Sequence, residues 1–128
     1  MFQTADDGRV KPYDLEERTL RFAKRVVALV DKLPRTISTL EIGKQLVRSA
    51  GSVGANYIEA NEALSRKDFQ MRIKLCRKEA KESCYWLRLL TCAADQDRER
   101  EGLLKESTEI MKIFGSIVEK TNPKKGSR

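Results

Sequence analysis

The chain contains no histidine among its 128 residues, and this absence excludes several kinds of chemistry. Without imidazole there is no Ser-His-Asp triad, no Cys-His nucleophile pair and no histidine ligand for a metal. Glycine and proline are also scarce, at seven and three residues. No run approaches the roughly 18 apolar residues of a membrane-spanning helix. The sequence therefore points away from an enzyme and predicts no contact with a membrane.

Cysteine is nearly as rare: Cys76, Cys84 and Cys92 are an odd number of thiols, spaced by eight residues. On one helix, a rise of about 1.5 Å per residue separates such neighbours by about 12 Å. A disulfide needs Cα atoms about 4.4–6.8 Å apart, so no bridge can form along that helix. There is no CxxC pair, and the first residues lack the pattern of a signal peptide. We therefore expect a cytoplasmic protein with reduced thiols and no cofactor or metal.

Charged residues, in contrast, make up 35% of the chain, and the formal net charge is +7. Residues 65–97 hold eight basic and five acidic side chains, and three more cations lie in the last seven residues. A composition rich in Leu, Ala, Glu, Lys and Arg is typical of helices. The composition thus favours a helical binding or assembly protein with a basic surface.

The first two predicted helices are delimited by capping and breaking residues. Asp14, followed three residues later by Glu17, is a candidate first N-cap, and Pro34 ends the helix. Ser38 with Glu41 predicts a second start, for a helix from about 39 to 64 whose apolar stripe ends at Leu64. Its centre, SAGSVGA at 49–55, contains two glycines. Either a neighbouring helix packs closely there or a loop splits the segment, and the unbroken periodicity favours one helix.

Ser65 and Asp68 begin the third predicted helix, which shows the strongest periodicity in the chain. Its apolar stripe follows strict 4-3 spacing at Phe69, Ile73, Cys76, Ala80, Ser83, Leu87, Leu90 and Ala94. Residues 95–98 predict a polar break, and a fourth helix follows up to Asn122. We therefore expect an all-α, up-down-up-down antiparallel four-helix bundle with left-handed packing at 13–121, between a leader (1–12) and a basic tail (122–128).

Lysines and arginines recur along one outer side of the third helix. Lys67, Lys74, Lys81 and Arg88 fall on a single heptad position, and this row is about 30 Å long. Such a row can follow a phosphate backbone with little sequence preference. Alternatively, the same cations only solubilise a surface and pair with acids such as Glu82. The candidate nucleic-acid-binding residues, which we call the basic ridge, are Lys67, Lys74, Arg77, Lys78, Lys81 and Arg88.

A second apolar strip lies beside the core stripe of this helix. It contains Leu75, Tyr85, Trp86 and Leu89, with Met71 as a further candidate. A helix that is apolar on two sides buries both, so the strip predicts an interface with another subunit. Trp86 is the only tryptophan, and tryptophan often anchors interfaces. The alternative is a core that is simply broad at this level.

Polar residues near the glycines of the second helix have two interpretations. Arg48, Asn56 and Glu59 predict a half-buried polar network that fixes helix register, or else they line a functional cleft. The pairs Glu59-x-x-Glu62 and Glu79-x-x-Glu82 lie on consecutive helices. Di-iron bundles use Glu-x-x-His on two helices, so Glu62 and Glu82 are expected on the surface or in ion pairs.

Three stretches of the sequence resemble one bacterial family, the four-helix-bundle proteins encoded inside intervening sequences of 23S ribosomal RNA. The first is IGKQLVRSAGSVGANYIEA at 42–60. The second is 69–90, with KEAKES at 78–83 and YWL at 85–87, which is similar to the family's third helix. The third, Tyr13-Asp14-Leu15, resembles its usual opening. The similarity spans about residues 13–121.

This resemblance implies a four-helix bundle that assembles as a ring-like homopentamer and has no known enzymatic activity. A related group, the accessory variability determinants of diversity-generating retroelements, forms basic barrels that bind nucleic acid and a reverse transcriptase. The hypothesis is thus an oligomeric protein that binds RNA or DNA through its basic ridge, with a reverse transcriptase as a further partner. The alternative is a protein-interaction scaffold without physiological nucleic-acid binding.

Overall fold

Four helices make up nearly all of residues 12–122, which are the residues that this computed structural model describes. They are α1 (Pro12–Asp31), α2 (Ile37–Asn61), α3 (Arg66–Leu89) and α4 (Ala94–Lys120). No strand occurs within 12–122. The predicted all-α four-helix bundle is confirmed. The predicted leader and tail, apart from Pro12 and Asn122, lie outside the described residues.

The predicted helix starts are right for α3 and wrong for α1 and α2. Ser65 caps α3, because its side chain accepts a hydrogen bond from the backbone N–H of Asp68. In α2 the cap is Thr36, whose Oγ1 accepts from the N–H of Thr39 at 3.2 Å, and Ser38 lies inside the helix. α1 begins at Pro12, two residues before the predicted cap. The N–H groups of a first helical turn have no acceptor within the helix. Proline has no N–H, so it suits this position.

The link between α3 and α4 lies a few residues earlier than predicted. Leu90 has extended backbone angles (φ −64°, ψ 136°), so the chain leaves α3 there, and α4 begins at Ala94. The predicted polar break at 95–98 is wrong, since these residues form the first turn of α4. Asp95 and Asp97 suit that position because carboxylates interact favourably with the positive end of the helix dipole.

The core lies along the four apolar stripes. The α1 stripe is buried from Leu15 to Leu33, and the α3 stripe from Phe69 to Leu90. Ala94 is exposed because α3 has already ended, and Leu64 is exposed because it lies in the α2–α3 link. The buried hydroxyls of Ser49 and Ser83 lie 2.9 Å apart, and each is also within hydrogen-bond distance of a carbonyl of its own helix, so the proton of each hydroxyl has an acceptor.

The glycine-containing segment of α2 is one continuous helix, as its periodicity predicted. Gly54 allows a close approach of α1, because a Cβ built there would lie 2.9 Å from Oγ1 of Thr19. Gly43, nearer the start of α2, also allows a close approach of α1, because a Cβ built there would lie 3.0 Å from Cγ1 of Val30. Gly51 differs, since nothing lies within 4 Å of its Cβ position. Close packing therefore explains two of these glycines and leaves Gly51 on the surface.

Each helix packs against its neighbours in the order α1, α2, α3, α4, and α4 returns to α1. Contact pairs show the registers: Arg18 meets Glu106 while Arg25 meets Glu99. On the opposite side Arg48 meets Glu82, and Arg72 donates to Asn56. Residue numbers rise along one helix as they fall along the next, which fits the up-down order. The left-handed packing stays a prediction.

Candidate nucleic-acid interface

The basic ridge lies on the outer side of α3. All six of its cations, Lys67, Lys74, Arg77, Lys78, Lys81 and Arg88, are exposed. Within the described part of the chain, none of them forms an ion pair. Seven-residue spacing on a helix places successive lysines about 10.5 Å apart along a nearly straight line. The ridge is therefore a solvent-facing row of unneutralised positive charge.

Two of the three acids of α3, Glu79 and Glu82, are held on the side of α2 by one arginine, while Asp68 lies exposed at the start of the helix. Glu79 and Glu82 both accept hydrogen bonds from the guanidinium of Arg48, Glu79 at 3.5 Å. Glu82 also accepts from Nε1 of Trp86 at 3.1 Å. The alternative in which the ridge cations pair with Glu82 is thus not what the structure shows. Because Arg48 draws both carboxylates toward α2, the other side of α3 stays basic.

The residues of the predicted interface strip differ in exposure. Tyr85 and Leu89 are exposed at 56% and 46%, and so is Met71 at 56%. Trp86 is half-buried and packs against the core, with the ring of Tyr85 edge-on at a centroid distance of 5.0 Å. Leu75 is also half-buried. The strip therefore has an accessible outer part formed by Tyr85 and Leu89. Trp86 forms its half-buried inner part, where its indole N–H donates to Glu82.

The three residues of the predicted polar network do not come together. Arg48 bonds Glu79 and Glu82, while Asn56 accepts a hydrogen bond from Nη1 of Arg72 at 3.1 Å. Glu59 is exposed and contacts neither of the other two. Arg48 and Asn56 each link α2 to α3 at a different level.

Helix α4 presents a second row of cations that the sequence reasoning missed. Arg98, Lys105 and Lys112 are exposed, share one outer heptad position and have no ion-pair partner within 12–122. A count of charges hides them, because residues 98–121 hold five acids and five bases. The signal that could have found them is the same seven-residue spacing that identified the ridge on α3.

The acids of α4 are held by arginines, most of them from α1. Arg18 makes a two-pronged contact with Glu106, at 2.8 Å from both Nε and Nη2, and Nη2 also donates to Glu109 at 3.2 Å. Arg25 contacts Glu99 in the same way at 3.0 and 3.1 Å. The hydrogen bonds to Glu106 raise the pKa of Arg18 above its ordinary value, so its charge is permanent. These acids are thus drawn toward α1.

The α1–α2 side of the molecule has a different character. Exposed apolar side chains lie along it, namely Leu20, Val27, Leu40, Val47 and Ile58. A groove of about 400 Å³ opens beside the α1–α2 link, lined by residues that include Val30, Leu40, Gly43 and Val47. The sequence patterns predicted a subunit interface on α3 and none on this side.

Residues 12–122 contain neither a membrane-spanning helix nor a cluster of metal ligands. No helix there is long and apolar enough to cross a membrane. No three metal-ligating side chains (His, Cys, Asp or Glu) lie close enough together to hold a metal ion. Glu79 and Glu82 instead bond Arg48, while Glu59 and Glu62 are exposed.

These features define a class: a helical bundle with one basic side and one partly apolar side. Comparison with known families identifies it further, because residues 12–116 match the family of 23S rRNA-intervening sequence proteins. The chain belongs to this family.

A solved structure gives the same fold. It is a protein of unknown function from the S23 ribosomal protein family of Bacteroides thetaiotaomicron, 36% identical, with a TM-score of 0.75. The match covers 86% of this chain and 99% of that one. No curated protein matches the chain.

Proposed function

We propose that this protein is a non-enzymatic RNA-binding protein of the cytoplasm that contacts phosphates through the basic ridge of α3. The observation that supports it most is the charge separation on α3: the six exposed cations form no ion pair within residues 12–122, and Arg48 holds Glu79 and Glu82 on the side of α2. The name of the family associates its members with 23S rRNA, which favours RNA over DNA. Three free thiols agree with a reducing compartment.

Binding of this kind is largely electrostatic. Each phosphate neutralised by a lysine or arginine releases condensed counterions, so affinity falls as salt rises. Six contacts correspond to a slope of about −5 in a plot of log K against log salt concentration. Few aromatic side chains lie along the ridge, only Tyr85 being exposed, so stacking on bases contributes little. We expect weak sequence preference.

The test is charge reversal in the middle of the ridge, in the double variant Lys74→Glu and Lys81→Glu. RNA binding measured by fluorescence anisotropy at low salt should weaken at least 30-fold. The matched control reverses two exposed lysines outside the ridge, Lys24 on α1 and Lys44 on α2. Binding that is undetectable at low salt, or that both double variants weaken equally, contradicts the proposal.

We also propose self-association through the strip of Leu75, Tyr85, Trp86 and Leu89, with a pentamer as the form that the resemblance favours. The support is the exposure of Tyr85 and Leu89 next to a tryptophan anchored by Glu82. Tyr85→Ala with Leu89→Ala should lower the molar mass seen by light scattering without changing the helical circular dichroism. A monomeric unmodified protein at 100 μM would refute self-association.

The second candidate function is a scaffold that binds a protein partner, a reverse transcriptase among the candidates. The exposed apolar residues of the α1–α2 side support it, particularly Val27, Val47 and Ile58. It predicts that charge reversal on α3 leaves partner capture from the native host unchanged. Loss of the same partner in the Lys74→Glu, Lys81→Glu variant would count against it.

A further inference from the structure

We infer that the nucleic-acid surface extends beyond α3 across α4, and that its ligand is a double-helical nucleic acid. This rests on the proposed function, since it names the full extent and substrate class of the same site. It begins from the second cation row, formed by Arg98, Lys105 and Lys112. Seen only as sequence, α4 is not basic: Ala94–Lys120 contains seven acids and five bases.

The structure separates these charges. Arg18 and Arg25 of α1 hold Glu99, Glu106 and Glu109, and Arg100 holds Asp97 and Glu101. Five of the seven acids are thus paired with arginines. Lys105 and Lys112, at the centre of the helix, have no such partner within 12–122. The arginines of α1 therefore act on α4 as Arg48 acts on α3, and both helices present their cations on the outer side.

The two cation rows lie side by side. α3 packs on α4, with Cys84 Sγ 3.6 Å from Thr108 Oγ1, and a Cβ on Gly115 would lie 3.6 Å from Cδ of Arg77. Lys105 lies three residues from Thr108, and Lys112 three residues from Gly115. Between the rows lie the small side chains of Cys84, Thr108 and Gly115 together with the aliphatic part of Arg77, and no acid is among them. The exposed acids Asp68, Glu101 and Glu119 lie toward the two ends of this α3–α4 surface. Glu109, which is also exposed, lies at the centre beside Lys105, but it accepts a hydrogen bond from Arg18 of α1 at 3.2 Å. The centre therefore keeps more unpaired cations than unpaired acids among the described residues.

This arrangement suits a duplex better than a single strand. Packed helix axes are about 8–10 Å apart, so the rows form two roughly parallel lines of positive charge. A duplex presents two phosphate strands to such lines. A protein that binds single strands needs aromatic side chains on which the bases stack. Cys84, Thr108 and Gly115, which lie between the rows, offer none.

The experiment measures binding of the full chain to a 20-base-pair RNA duplex, its DNA counterpart and one RNA strand alone, over a range of NaCl concentrations. Lys105→Gln with Lys112→Gln removes two positive charges. We expect the salt slope for the duplex to decrease by about 2, and affinity at low salt to fall about tenfold. The matched control is Lys24→Gln with Lys44→Gln, which should leave both unchanged. Binding to duplex RNA or duplex DNA should exceed that to the single strand.

Three results would overturn the inference. The first is a salt slope that the α4 variant leaves unchanged, although the double variant Lys74→Glu and Lys81→Glu still weakens binding. This result would leave the proposal for α3 intact. The second is an equal effect of the control pair. The third is tighter binding of the single strand than of either duplex. Complete absence of binding by the unmodified protein refutes the proposed function as well. Thermal unfolding of each variant verifies that it is folded.

Discussion

Gly54 and Gly51, three residues apart in one helix, should respond oppositely to alanine. Alanine is favoured over glycine inside a helix by about 1 kcal/mol at either position. At Gly54 the new Cβ would lie 2.9 Å from Oγ1 and 3.3 Å from Cβ of Thr19. Thr19 is 1% exposed, and its hydroxyl donates to the carbonyl of Leu15 at 2.7 Å, so it cannot easily move.

Forcing a methyl group into a packed interface costs about 1–3 kcal/mol, and the fixed hydroxyl places Gly54 in the upper part of that range. After the gain in helix propensity, Gly54→Ala should lower the free energy of unfolding by about 1–2 kcal/mol. Gly51→Ala meets no atom within 4 Å and should raise it by up to about 1 kcal/mol. The two variants should thus differ by about 2–3 kcal/mol.

Urea unfolding followed by circular dichroism at 222 nm measures both values on the same protein background. A third variant tests the cause: Thr19→Ala removes the hydroxyl that clashes, so its effect combined with Gly54→Ala should be smaller than the sum of the single effects. If Gly54→Ala stabilises the protein as much as Gly51→Ala does, the close packing of α1 on α2 is wrong.

The other predictions concern caps, a thiol and an ion pair. Thr36→Ala should destabilise the protein by about 1 kcal/mol while Ser38→Ala has almost no effect, and the reverse order in thermal unfolding would restore Ser38 as the cap. Burial raises the pKa of the Cys76 thiol from 9.0 to about 12, so the stability that this neutral thiol contributes is fully present below pH 9 and is lost as pH rises toward 12. Cys76→Ala should flatten that pH dependence, and an unchanged slope in urea titrations would contradict it. Arg48→Leu should lower the free energy of unfolding by about 1–3 kcal/mol, because Glu79, which is 9% exposed, loses its cation. Adding Glu79→Gln to that variant removes the unpaired charge and should restore part of the lost stability.

The sequence patterns predicted the helices and most of the core because both follow from local spacing. The 4-3 stripe of α3 is buried from Phe69 to Leu90, as a helix with a single buried face requires. Helix ends were less predictable. Thr36 and Ser38 are both good caps two residues apart, and only the backbone angles of the folded chain select Thr36. Likewise, Asp95 and Asp97 are as typical of a first helical turn as of a break.

The candidate site was only half visible for a different reason. An excess of cations over acids directed attention to α3, where the seven-residue spacing then gave the ridge, but α4 shows no such excess. Which side of a helix is basic depends on where its acids find partners, and Arg18 lies 88 residues from Glu106. The glycines show the same limit: nothing local distinguishes Gly54, against Thr19, from Gly51, which is open.

If α3 binds RNA phosphates, the affinity for RNA must depend strongly on salt concentration. We predict that the log of the binding constant falls linearly with the log of salt concentration, with a slope of about −5 or steeper, and that Lys74→Gln with Lys81→Gln makes the slope less steep by about 2. A slope near zero, or one that this variant leaves unchanged, would contradict the account.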